Sequence, residues 1–91
     1  MLPVVWQDKA RLRVREIVDY ISDHNELAAL DLEAALASAV DRLANFPQVG
    51  RPGRLEGTRE WVLTPNYLIV YLVTEAHLEI LNILHARRQY P

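Results

Sequence analysis

The chain has 91 residues, 51% of them hydrophobic and 24% charged, with a formal net charge of −2. That suffices for one modest core, and it matches neither a disordered chain nor a strongly basic nucleic-acid binder. With no cysteine, a disulfide framework, a thiolate nucleophile and a cysteine-based zinc site are excluded.

Met1 to Trp6 is too short for the charged and apolar regions of a signal peptide. The longest apolar run, Tyr67 to Val73, falls well short of the roughly 20 residues needed to span a bilayer. A soluble, cytoplasmic protein with a single domain over residues 1–91 and no membrane partner is expected. Charge is graded along the chain. Met1 to Asn45 holds five Lys/Arg against eight Asp/Glu, whereas Phe46 to Pro91 holds five cations, all arginine, against four. Arginine suits bidentate contacts with phosphate or carboxylate, so a local anion site is expected in the second half.

Val4-Val5-Trp6 is a short β-prone run after Pro3 and predicts a first strand. Asp8 offers an N-cap, and Ala10, Val14, Ile17, Val18 and Ile21 then form the stripe of an amphipathic helix ending near His24-Asn25. A second stripe, Ala28, Leu32, Ala35, Leu36, Ala39, Val40 and Leu43, predicts another helix, stopped by Asn45-Phe46-Pro47. The brief break between them makes an antiparallel helical hairpin. Gln48 to Gly57, with three glycines and a proline, is a loop carrying Arg51 and Arg54. Arg59 to Leu63, Tyr67 to Val73 and His77 to His85 read as three strands joined by the turns Thr64-Pro65-Asn66 and Thr74-Glu75-Ala76. Tyr67 to Val73 is apolar on both faces, as a central strand must be. The prediction is an α+β fold of order β-α-α-β-β-β, its hairpin packed on a mainly antiparallel sheet.

Five residues with anion chemistry, Arg51, Arg54, Arg59, Arg87 and Arg88, lie in the loop, at the start of the first meander strand and after its last strand. In a flat meander Arg59 and Arg87 fall at opposite ends. They share a site only where the sheet twists strongly or the tail folds back. His85 shares its parity with Leu81 and Ile83 and is expected on an apolar face, either as a hydrogen-bonded core residue or as a group suited to proton transfer near neutral pH. Tyr90 stacks on a nucleobase or covers the sheet end with Pro91. Trp61, Tyr67 and Tyr71 are expected in the core or against a partner, and Asn82, in an apolar strand, needs a partner if buried. His24, His77 and His85 show no ligand spacing, so neither a metal nor any other cofactor is expected.

Three segments carry a resemblance: Gly57-Thr58-Arg59-Glu60-Trp61-Val62-Leu63, then Tyr67-Leu68-Ile69-Val70-Tyr71-Leu72-Val73, then Ile83-Leu84-His85-Ala86-Arg87-Arg88-Gln89-Tyr90-Pro91. The chain resembles the toxins of bacterial RelE/ParE type II toxin–antitoxin modules over essentially its whole length. That resemblance implies a growth inhibitor neutralised by a cognate antitoxin. In RelE-type toxins the activity is metal-free, ribosome-dependent mRNA cleavage, in which the RNA 2′-hydroxyl attacks and basic groups stabilise the charged phosphorane. The reading taken from the sequence is this one, an endoribonuclease with Arg59, His85, Arg87 and Tyr90 as the catalytic set. Arg51, Arg54 and Arg88 would then bind nucleic acid or target. Leu68 stands where nuclease members often carry an arginine. The alternatives are a ParE-type poison of DNA gyrase, which needs no catalytic residue, and a non-catalytic interaction module.

Overall fold

The structure is a computed structural model and describes residues 1–87. Its elements are β1 (Val4–Trp6), α1 (Asp8–Ser22), α2 (Glu26–Asn45), β2 (Arg51–Pro52), β3 (Arg59–Thr64), β4 (Tyr67–Val73) and β5 (Leu78–His85). The expected α+β order is present, with one addition: the two-residue strand β2 lies inside the expected loop. The five strands form one sheet in the order β1-β5-β4-β3-β2. The meander β3-β4-β5 and its extension β2 are antiparallel, while β1 runs parallel to β5 with Val4 opposite Leu78 and Trp6 opposite Ile80.

Two helix boundaries differ from expectation for identifiable reasons. Gln7, not Asp8, precedes the first turn of α1, and no side chain caps it. Asp8 instead sits inside the first turn, where its charge complements the helix dipole. Asn25 caps α2, its side chain accepting the Ala28 N–H at 3.1 Å, so α1 ends at Ser22, earlier than expected, and α2 begins at Glu26. Phe46 ends α2 in a non-helical conformation (φ −133°, ψ 68°), in keeping with the following proline, which disfavours the helical region for the residue before it.

The hairpin lies on one face of the sheet, α1 over β5 and α2 over β3. Ala10, Ile17, Leu32, Ala39 and Leu43 from the helices meet Ile69, Tyr71, Leu78, Ile80 and Ile83 from the sheet. Burial of each large aliphatic side chain here contributes about 1.5–3 kcal/mol. A second, smaller cluster occupies the opposite face, where Leu68, Val70 and Leu84 are buried with Leu81 and Ala86 against them.

An irregularity in β5 reconciles these two faces. Asn82 pairs with Val70 and Ile80 with Tyr71, which leaves Leu81 as an extra residue. A bulge of this kind resets the alternation, so that Ile83 and Ile80 face the helices although three positions apart. The expectation that Leu81 and Ile83 share a face is therefore corrected: Leu81 packs on the small cluster and Ile83 in the main core.

Candidate functional site

The expected site residues fall into three separate places. The first is the end of β5. Tyr67 pairs with His85, and their rings meet edge to face with centroids 5.5 Å apart. His85 keeps the face of Ile83, as expected, but is exposed, which corrects its reading as a core residue: the strand ends there and His85 is not part of the core cluster. Its Nδ1 accepts the backbone N–H of Arg87 at 3.3 Å. Arg87 is exposed beside it, and Ala86 N–H donates to Asn66 O at 2.7 Å, tying the residues after β5 to the β3–β4 turn. Arg88 and Tyr90 lie outside the described residues.

The second place is the other end of the meander. Arg59 pairs with Tyr71, four residues along β4 from the partner of His85. At about 3.4 Å per residue that is roughly 13 Å. The strands do not bring Arg59 to His85 and Arg87. Its guanidinium instead donates to the carbonyls of Gln48 (3.1 Å) and Gly50 (2.7 Å). Tyr71, fully buried, serves the same turn: its hydroxyl accepts Gly50 N–H and donates to Pro47 O, both at 2.9 Å. Burial raises the Tyr71 pKa above the ordinary 10.0, against the opposing pull of the Gly50 hydrogen bond and the Arg59 charge. Four hydrogen bonds from two strand residues thus fix the backbone from Pro47 to Gly50, while Phe46 is 62% exposed.

The third place is on the face away from the helices. Glu60, only 3% exposed, receives Arg51 through Nε (3.1 Å) and Nη2 (3.0 Å) on the same carboxylate oxygen, and Arg54 Nε lies 3.6 Å from the other. Pairing of Arg51 with Glu60 across β2 and β3 places both side chains on one face. Two of the three arginines expected to bind nucleic acid or target are therefore partnered with a buried carboxylate. That carboxylate was missed in the sequence because a charged residue at the start of a strand reads as surface.

The helices add a concavity that sequence periodicity could not locate. A valley of about 960 Å³ runs between α1 and α2, with Trp6, Val14, Val18 and Leu36 along it and charges of both signs beside them, Arg11 and Arg15 with Asp8, Asp19 and Glu33. The histidines do not converge. His24 donates to Tyr20 O, and His77 meets Glu79 at 2.9 Å. Asn82, buried, has the partner it needs in Ile83 N–H at 2.9 Å. Trp61 is half-buried, with the Arg42 guanidinium 5.6 Å from its ring centre.

Comparison with known proteins gives a consistent picture. A family described as ParE toxin of type II toxin–antitoxin system, parDE, matches residues 4–90. A putative toxin, Y4kP of Sinorhizobium fredii, is 41% identical over 87 residues, covering 94% of this chain and 90% of the relative. Toxin RelE2 of Caulobacter vibrioides is 38% identical over 88 residues, covering 97% and 99%. Among solved structures, the chromosomal ParDE system of P. aeruginosa superposes with a TM-score of 0.81 at 22% identity, over 93% of this chain and 96% of that one. The E. coli DinJ-YafQ toxin–antitoxin complex gives 0.63 at 13% identity over 92% and 91%. At those identities the structural likenesses speak for the fold alone.

Proposed function

The chain belongs to the ParE toxin family of type II toxin–antitoxin systems, and from that premise we propose that it arrests growth by binding DNA gyrase through its surface, held inactive by a cognate antitoxin. The observation that carries this reading is the engagement of Arg59. A nuclease centre needs its basic groups around one phosphate. Here Arg59 donates to two backbone carbonyls at the far end of β4 from His85, and Arg51 and Arg54 meet Glu60. Leu68 is buried in the small apolar cluster and supplies no charge. A toxin that works by binding alone needs no such convergence.

One observation favours the second reading, ribosome-dependent mRNA cleavage. His85 and Arg87 adjoin at the end of β5, both exposed, as a proton-transfer group and a phosphate contact would be. The antitoxin, under either reading, is a protein segment with apolar side chains for the valley between α1 and α2 and carboxylates for Arg11, Arg15 and Arg87. Gyrase and ribosome are both cytoplasmic, so we place the chain there. Among the described residues no helix is long and apolar enough to cross a membrane.

Purified wild type and Arg87→Ala are to be compared in a gyrase supercoiling assay and in a ribosome-dependent cleavage assay. Gyrase inhibition without cleavage is the expected result. Cleavage by wild type that falls about 10²-fold or more in Arg87→Ala would move the assignment to the nuclease branch.

A further inference from the structure

The turn after α2 is built in an unusual way for a surface connection. Its backbone is fixed from inside by Tyr71 and Arg59, through bonds to Pro47 O, Gln48 O, Gly50 O and Gly50 N–H. Phe46 N–H bonds back to Arg42 O at 2.8 Å and Val49 N–H to Phe46 O at 3.1 Å, closing the turn from both sides. The apolar side chains it carries nevertheless point outward: Phe46 is 62% and Val49 38% exposed. Beside them lies a hollow of about 570 Å³ lined by Arg42, Asn45, Phe46, Pro47, Gln48 and Val49, with Arg42 its one charge.

Tyr71 belongs to the core, but the turn that it and Arg59 hold leaves its phenylalanine in water, where that ring adds little to the core. The two residues do hold in place the backbone that carries a projecting aromatic, and a turn already ordered loses less freedom when it binds. Exposed aromatics next to an arginine are the residue types that dominate interface energies. We infer that the turn Phe46–Val49, with Arg42, is the element by which the toxin grips a folded protein target, which offers an apolar pocket to Phe46 and a carboxylate to Arg42. A fixed knob suits a pocket that already exists in a folded partner. A flexible antitoxin segment is better matched by a long concave track, such as the valley between the helices on another part of the surface. This inference rests on the toxin reading, and names the surface that such a toxin would use.

The test is growth after induced expression of wild type, Phe46→Ala, Phe46→Tyr and Arg42→Glu at equal protein levels, with gyrase supercoiling inhibition measured on the purified chains. Phe46→Ala and Arg42→Glu are expected to inhibit about 10-fold less or worse, Phe46→Tyr to stay close to wild type, and Tm to change by less than about 5 °C. Phe46→Ala as toxic as wild type overturns the inference. So does a larger fall in Tm, which would make Phe46 a packing residue, or a change in oligomeric state, which would make the turn a contact between copies. Toxicity that persists in Phe46→Ala but escapes a co-expressed cognate antitoxin also overturns it, by assigning the turn to the antitoxin. A wild-type chain that leaves growth untouched removes the toxin reading and this inference together. A toxic wild type that leaves gyrase unaffected removes only the gyrase assignment, and the growth comparison still decides the role of Phe46.

Discussion

The hydroxyl of Tyr71 occupies the space that a side chain at position 50 would need. It accepts Gly50 N–H at 2.9 Å, and a Cβ on Gly50 would also come within 2.8 Å of Glu60 O and of Tyr71 Cε1. Neither the strand backbone nor a fully buried ring can yield cheaply. Gly50→Ala should therefore destabilise by about 2–3 kcal/mol, in the manner of an overpacked core, and lower Tm by on the order of 10 °C or more. Thermal unfolding by circular dichroism checks this, and an unchanged Tm would contradict the packing described.

Tyr71→Phe removes both hydroxyl bonds and leaves Gly50 N–H and Pro47 O without that partner. A loss of about 1–3 kcal/mol at neutral pH is expected. The alkaline behaviour gives a separate signature. Because burial raises the folded-state pKa, the tyrosine ionises first in the unfolded chain, and its contribution is lost as pH rises above 10 through the folded-state value. Unfolding midpoints measured from about pH 9 to about pH 11 should fall more steeply for wild type than for Tyr71→Phe. Parallel slopes would contradict the assignment.

Arg51→Met should destabilise by roughly 1–3 kcal/mol, since it withdraws two hydrogen bonds from a buried carboxylate. Arg51→Met combined with Glu60→Met should regain much of that loss, because an apolar pair of similar volume carries no desolvation cost. Urea midpoints of the two variants decide the matter. A double variant less stable than the single would mean that the ion pair contributes net stability.

At acid pH the sensitive group is Glu79. Hydrogen bonds from His77 first, and then from Gln7, hold its carboxyl below the ordinary 4.5. A lowered carboxylate contributes stability above its unfolded pKa, and loses it as pH falls through the lower folded value. Tm followed from about pH 6 to about pH 3 should drop less for Glu79→Gln than for wild type, and the two should converge at the acid end. Equal slopes would show that the His77–Glu79 contact is not held in solution.

The sequence spoke clearly wherever structure is periodic and local. The stripes through Ala10 and Leu32 marked the helices, and the two apolar faces of Tyr67 to Val73 marked the central strand. Features without a local signal went unseen. The partner of Val4 is Leu78, far along the chain, and no pattern near either residue names the other. The bulge at Leu81 leaves no composition cue, so the face assigned to Leu81 by simple alternation was wrong. At the candidate site the residue types were legible but their engagements were not. Arg59 binds carbonyls of a turn whose shape depends on Gly50 and Tyr71, and Arg51 and Arg54 answer a glutamate whose burial is a property of the sheet.

The placement of β5 has a consequence for the order in which this chain can become a toxin. β5 sits between β1 and β4, and α1 packs on it. β1 therefore has no partner strand, and α1 has only α2 to pack against, until β5 is in place. Such long-range closure is slow, because the intervening chain must be ordered before the contacts reward it. Without β5 the helical hairpin keeps its α1–α2 contacts but loses Leu78, Ile80 and Ile83 from the sheet side of its core. The sheet is thus closed by its most sequence-distant pairing, Val4 with Leu78, and a change that weakens β5 removes the support of β1, β4 and α1 together.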